Sequence, residues 1–140
     1  MKSVYLREQR DKEIFRIYSE ALSSGRFRSG PAIFDFVRKH PAPRFYVSSY
    51  FISRALYSIM RGDALDVKGQ NAVRKFNDLY KLFLKLRATE EYKSYSVQRI
   101  SEVLEKCPAP EFYISARTTR LIISQQKRLQ WERMQRKYSR

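Results

Sequence analysis

A chain of 140 residues with 43% hydrophobic side chains can bury a core unaided, as one compact domain or two very small ones. One cysteine, Cys107, and one histidine, His40, exclude a disulfide framework and leave a Cys/His zinc site without ligands. Twenty-nine Lys and Arg against 14 Asp and Glu give a formal net charge of +15, which calls for a polyanionic partner: nucleic acid first, anionic membrane surfaces or acidic proteins after it.

The first helix is predicted from about Leu6 to Ser23, where Ile14, Ile17, Tyr18, Ala21 and Leu22 recur on one stripe at helical spacing. Gly25 ends it. Ser29-Gly30-Pro31 is a helix start, because proline is tolerated in the first turn, and Ile33, Phe36 and Val37 form the buried face until Pro41 stops the helix. Ser48 is a good N-cap for a third helix, with Val47 and Ile52 as a hydrophobic staple and Leu56, Ile59 and Met60 continuing inward. Residues 62–70, holding Gly62 and Gly69, read as a linker.

Asn71 is the expected N-cap of the next helix, and Val73, Phe76, Leu79, Tyr80, Phe83 and Leu86 form its strong apolar stripe. A helix from Ser96 to Cys107 follows, with Val97, Ile100, Val103 and Leu104 inward, and the last helix starts after Ser115. No strand-like alternation of useful length occurs, so the expected fold is all-α.

The sequence repeats itself. Pro41-Ala42-Pro43-Arg44-Phe45-Tyr46-Val47-Ser48 recurs 67 positions later as Pro108-Ala109-Pro110-Glu111-Phe112-Tyr113-Ile114-Ser115, with six of eight residues identical. The same shift carries Ser29 onto Ser96, Ile33 onto Ile100, Phe36 onto Val103 and Val37 onto Leu104; two positions short of it, Ile14-Phe15-Arg16-Ile17-Tyr18 falls on Leu79-Tyr80-Lys81-Leu82-Phe83. The chain therefore reads as two tandem three-helix units related by internal duplication, 1–61 and 71–140, which either stand apart or pack as one domain.

The repeated turn is expected to be architectural. Pro41, Pro43, Pro108 and Pro110 lack amide donors and push the residues before them out of the helical region, making a rigid extended connector. Phe45, Tyr46, Phe112 and Tyr113 would anchor it on the core. Stacking of these rings on bases would instead require them in solvent. Two helices joined by a rigid connector and crossed by a third loosely match a helix-turn-helix reader, although the connector exceeds the usual 3–4 residues.

The third helices differ most. In the second unit Arg117, Arg120, Ser124, Lys127 and Trp131 recur three to four residues apart, Ile122 and Leu129 are free for the core, and residues 117–140 hold eight basic residues against one acid, Glu132. Arg117, Arg120, Lys127, Arg128, Arg133, Arg136 and Lys137 are the expected phosphate contacts, and Gln125, Gln126 and Arg120 the candidates for base edges. The first unit's third helix is greasier, with Tyr50, Phe51, Tyr57 and Met60 around Arg54, and is expected to pack on the other unit. Arg54 and Arg44 complete the candidate nucleic-acid contacts.

No catalytic constellation is expected. His40 and Cys107 precede the two Pro-Ala-Pro turns and would pair as base and nucleophile only if those turns met in space. Carboxylates are scattered, and no Gly-rich loop follows a strand. The ten tyrosines come without the His/Arg set of a recombinase. Neither a metal nor another cofactor is expected. No apolar run nears the roughly 18 residues needed to span a bilayer, and the amino end lacks the apolar core of a secretion signal, so a soluble protein in a reducing compartment is expected.

At its Pro-Ala-Pro-Arg-Phe-Tyr-Val-Ser stretch the sequence resembles small basic proteins encoded by gut bacteria and their phages. The resemblance implies a phage or mobile-element origin and no particular activity. The expected function is non-enzymatic binding of nucleic acid, double-stranded DNA above all, through the basic carboxyl-terminal helix, in the bacterial cytoplasm. The alternative is a structural or adaptor protein, such as a virion or packaged component, that binds other proteins or itself through its helical faces; neither version has a membrane or a small-molecule substrate as partner.

Overall fold

Serines start four of the helices. In the computed structural model, which describes residues 4–138, the Ser29 side chain accepts from the Ala32 amide at the head of α2 (Gly30–Lys39), and Ser48 from Phe51 at the head of α3 (Ser49–Arg61). Their counterparts 67 positions on do the same: Ser96 accepts from Arg99 for α5 (Val97–Glu105) and Ser115 from Thr118 for α6 (Ala116–Tyr138). Each bond satisfies one amide that the first helical turn leaves open. Gly62, at φ 78°, closes α3 in the left-handed conformation that a side chain resists, and its amide reaches back to the Ile59 and Ser58 carbonyls.

The remaining helices are α1 (Val4–Ser23) and α4 (Gln70–Arg87). The start of α4 departs from expectation. Gly69, not Asn71, precedes the helix, and no side chain caps it. Beginning one residue early places Asn71 inside the first turn, where its oxygen accepts from Arg74 Nη2 at 2.8 Å. The described residues form helices and their connections, with one isolated β-bridge, so the fold is all-α.

The apolar stripes meet in one buried cluster that includes Ile14, Ile17 and Tyr18 of α1, Ile33 and Val37 of α2, Ile52 and Leu56 of α3, Leu79 and Phe83 of α4, Ile100 and Leu104 of α5, and Ile122 and Ile123 of α6. Three expected core residues face outward. Leu22 is 53% exposed and Met60 41%, each in the last turn of its helix and one step round from the buried face; Leu129 lies past the point where α6 stops burying apolar side chains.

Packing does not follow chain succession. The helices joined by each Pro-Ala-Pro connector, α2 with α3 and α5 with α6, do not pack closely side by side. Instead α3 packs on α4 and α5, while α6 packs on α1 and α2. Each half of the chain thus completes its three-helix cluster with the last helix of the other half, an exchange of equivalent elements within one chain of the kind that domain swapping makes between two. The sequence suggested this for the greasier α3 alone. The physical reason is the connector: residues 40–48 form no helix, their two prolines keep the chain open, and it bends at Tyr46, which carries the next helix across the molecule rather than back onto its predecessor.

The two connectors meet where they cross. Ala42 and Ala109 form an antiparallel bridge, with each amide donating to the other's carbonyl at 2.9 Å. Alanine is the one residue of each Pro-Ala-Pro triplet with an amide to donate, and both amides are used here. Both alanines are buried. The aromatic pairs then interleave: Phe45 stacks on Tyr113 with ring centres 6.0 Å apart, and Tyr46 on Phe112 at 6.2 Å. Tyr46 and Tyr113 both take φ 58°, a region that bulky residues enter at a cost of about 1–2 kcal/mol. The ring packing offsets that cost, and the resulting bend aims each chain into its third helix.

Candidate nucleic-acid interface

Helix α6 buries Thr119, Ile122, Ile123 and Gln126, and its opposite side carries the charge. Arg117, Arg120, Ser124, Lys127 and Trp131 succeed one another at intervals of three and four and are all exposed, with Arg128 beside them. Arg117 to Arg128 spans about 17 Å along the axis, half of a duplex turn of roughly 34 Å. Beyond Trp131 the same line continues as Met134 and Tyr138, both exposed, so a basic half is followed by an apolar one.

These cations have no carboxylates. Elsewhere Arg10 pairs with Asp11, Arg16 with Glu13 and Glu20, Arg38 and Lys39 with Asp35, Arg61 with Asp63, Arg74 with Glu111 and Lys93 with Glu90. Pairing with Glu13 raises the pKa of Arg16, and pairing with Glu111 raises that of Arg74. No cation of α6 forms an ion pair among the described residues. Lys127 instead lies 5.0 Å from the ring centre of Tyr18 on α1, a contact that holds its ammonium in place without neutralising it. The first turn of α6 has no acidic residue, although the positive end of the helix dipole lies there beside Arg117 and Arg120.

The other candidate residues fall elsewhere. Arg133 continues the buried face of α6 past Gln126 and lines a cleft against Lys12 and Phe15 of α1. Gln125 is exposed about a third of a turn from the basic line, and Arg136 and Lys137 occupy the last turn, where they also complement the dipole's negative end. Arg140 lies outside the described residues. Gln126 is only 9% exposed, which removes it as a base-edge contact on the outer face. Arg54 on α3 is exposed, with its guanidinium 5.6 Å from the Tyr50 ring centre. Arg44 is half-buried in the connector, where its charge and those of Arg10 and Arg16 face the Tyr46 phenol.

The repeated aromatics are not a stacking platform. Phe45, Phe112 and Tyr113 are buried and Tyr46 half-buried, each against a ring of the opposite connector, so no base can reach their faces. The Tyr113 hydroxyl donates to Asp78 at 2.6 Å. Pro41, Pro43, Pro108 and Pro110 are exposed around the crossing.

The turns do meet, yet His40 and Cys107 do not become a catalytic pair. Antiparallel register about Ala42 and Ala109 puts Cys107 opposite Arg44, four residues from His40, or roughly 13 Å along extended chain. The His40 ring bonds the Pro41 carbonyl at 2.7 Å. Burial raises the Cys107 thiol pKa, and its sulfur bonds the Val103 carbonyl, the opposite of an activated thiolate. Among the described residues no three His, Cys, Asp or Glu side chains gather as metal ligands, and no helix is long and apolar enough to cross a membrane.

Sequence reasoning missed Tyr18 as the support of Lys127 and Lys12 as a neighbour of Arg133. Both lie on α1, more than 100 positions from their partners in the chain, and no local spacing signals such a contact. No protein family matches the chain, and neither a curated protein nor a solved structure is detectably similar to it.

Proposed function

We propose that this protein is a non-enzymatic nucleic-acid-binding protein whose ligand is double-stranded DNA, held by the outer face of α6. The observation that carries the reading is the row of exposed cations, Arg117, Arg120, Lys127 and Arg128, which share one side of α6 and meet no carboxylate among the described residues, whereas Arg10, Arg16, Arg38, Lys39, Arg61 and Arg74 on α1 to α4 each do. Four co-facial cations over half a duplex turn suit successive phosphates, and their binding gains from counterion release. In this reading the two halves stem from one duplicated unit, and their third helices have taken different tasks.

The test is the salt dependence of binding. Changing Arg117, Arg120, Lys127 and Arg128 together to Ala should flatten the slope of log affinity against log salt by about 3–4 units in anisotropy titrations with duplex DNA. An unchanged slope overturns the assignment. Single-stranded DNA and RNA titrated in parallel identify the preferred polymer.

A second reading is supported by Trp131, Met134 and Tyr138, whose exposed side chains extend the basic line into an apolar one. It makes the protein an adaptor or structural component whose α6 docks on another protein. Light scattering on eluted protein at two salt concentrations separates self-assembly from a monomeric DNA binder, and Trp131→Ala should abolish any assembly.

A further inference from the structure

One of the buried polar side chains lacks a partner. Of the four such residues, Ser53 donates to the Tyr50 carbonyl at 2.9 Å, Ser101 to Val97 at 2.8 Å and Thr119 to Ser115 at 2.9 Å. Gln126, only 9% exposed, has a side-chain amide that bonds to none of the described residues. No fully enclosed side-chain nitrogen or oxygen goes unpaired among those residues, so the small exposure left to Gln126 lies at its amide. The amide is thus held nearly buried, bonded to no protein group among the described residues, and open to the solvent side, where a bound group can meet it.

Its surroundings say which. Gln126 opens into a cleft of about 170 Å3 between α1 and α6, lined also by Lys12, Phe15, Gln130 and Arg133. Neither Lys12 nor Arg133 forms an ion pair among the described residues. Asp11 and Glu13, the chain neighbours of Lys12, pair instead with Arg10 and Arg16, and Glu132 beside Arg133 pairs with no cation. All four polar side chains can donate, two of them with full positive charge, and no carboxylate lines the cleft. A group rich in acceptors and negative charge, and compact, fits such a set. A phosphate meets all three conditions, and the Phe15 ring offers an apolar wall to whatever carries it.

The other half of the chain supplies an internal comparison. The shift of 67 positions sets Ile59 where α6 has Gln126, Asp63 where it has Gln130, and Asp66 where it has Arg133; the shift of 65 sets Asn77 and Tyr80 where α1 has Lys12 and Phe15. In sequence, the amide of Gln126 gives way there to an apolar side chain in the last turn of α3, and the cations to an amide and a carboxylate, with Asp63 and Asp66 lying beyond the end of that helix.

We propose that the α1–α6 cleft is a binding site for a single phosphate group, with Lys12 and Arg133 supplying charge and Gln126 and Gln130 donating amide hydrogens. The site is independent of the duplex-DNA assignment. A mononucleotide or a nucleic-acid backbone can supply the phosphate.

The experiment follows the side-chain amide resonances of Gln126 and Gln130 in 15N-labelled protein titrated with inorganic phosphate, deoxyadenosine monophosphate and a short DNA duplex. Saturable shifts of both amides with at least one of these are expected, and the probe that binds best identifies the source. Lys12→Ala with Arg133→Ala should weaken that binding about tenfold or more, since hydrogen bonds to charged groups are worth roughly that each. Gln126→Ile, which copies the residue of the other half, should abolish the response while melting no lower than the parent. The Ala substitutions at Arg117, Arg120, Lys127 and Arg128 should leave the Gln126 and Gln130 response to phosphate intact, which separates this site from the outer face. No saturable response to any probe, or an undiminished response in Gln126→Ile, overturns the proposal.

Discussion

Helices α3 and α6 begin alike and end differently. Each follows the same extended connector, each is capped by a serine, and each crosses to close the core of the other half through residues at equivalent places, Ala55 and Leu56 against Ile122 and Ile123. Inward they are interchangeable in role. Outward, α3 shows Tyr50, Arg54, Tyr57 and Met60 and stops at Arg61, which Asp63 pairs; at the matching places α6 shows Arg117, Leu121, Ser124, Lys127 and Arg128, and it runs ten residues further than its counterpart. The constraint of packing acts on one face of each helix and leaves the other free, so two helices that close a core in the same way can differ on the surface.

The sharpest way to break this comparison is to strip each outer face in turn. The four-alanine change in α6 should remove about 3–4 units of salt slope, whereas Arg54→Ala with Arg61→Ala in α3 should remove about 1 or less, because one of the two already serves a carboxylate. Equal losses from the two faces would show that both helices touch DNA.

Inward, the two should behave alike. Leu56→Ala and Ile123→Ala, both at fully buried positions, should each cost about 2–5 kcal/mol in denaturant unfolding. Because each helix completes the core of the opposite half, both variants should unfold in one transition; a variant with two separate transitions would contradict the exchanged packing.

A smaller effect distinguishes the two connectors. Tyr113→Phe removes a hydroxyl bonded to Asp78 and should cost about 1.5–3 kcal/mol, the range for hydrogen bonds to charged groups, whereas the Tyr46 hydroxyl has no such bond among the described residues and its removal should cost little. Burial first, then the bond to Asp78, holds the Tyr113 phenol protonated above tyrosine's ordinary pKa of 10.0. A folded pKa above the unfolded one contributes stability that is whole below about pH 10 and fades as pH climbs toward the folded value. Stability measured from pH 9 upward should therefore fall less steeply in Tyr113→Phe than in the parent, and Tyr46→Phe should change that fall less.

The elements themselves were legible because their signals are local. Serine before a helix, glycine after it and proline across a turn act within a few residues, and the apolar stripes of α2, α4 and α5 named their buried faces directly. Leu22, Met60 and Leu129 misled because helical spacing says which residues share a side but not how far along the helix its neighbour extends. Asn71 misled for a related reason: glycine at 69 let the helix begin sooner than the best capping side chain. On α6 the basic line was visible as spacing, and the same spacing sets Arg133 on a different side, beneath Gln126; only the position of α1 shows that this side forms a cleft with Lys12 and Phe15.

By itself, the sequence determined that the chain is all-helical, that two like turns interrupt it, and that cations gather on its last helix. The tertiary structure alone decided that the turns cross at Ala42 and Ala109, that each third helix is exchanged, and that Gln126 faces a cationic cleft. The division follows from range. Helix formation and capping are settled between residues three or four apart, whereas the pairing of α6 with α1 joins segments more than 100 residues apart, through contacts that exist only once two rigid connectors have met.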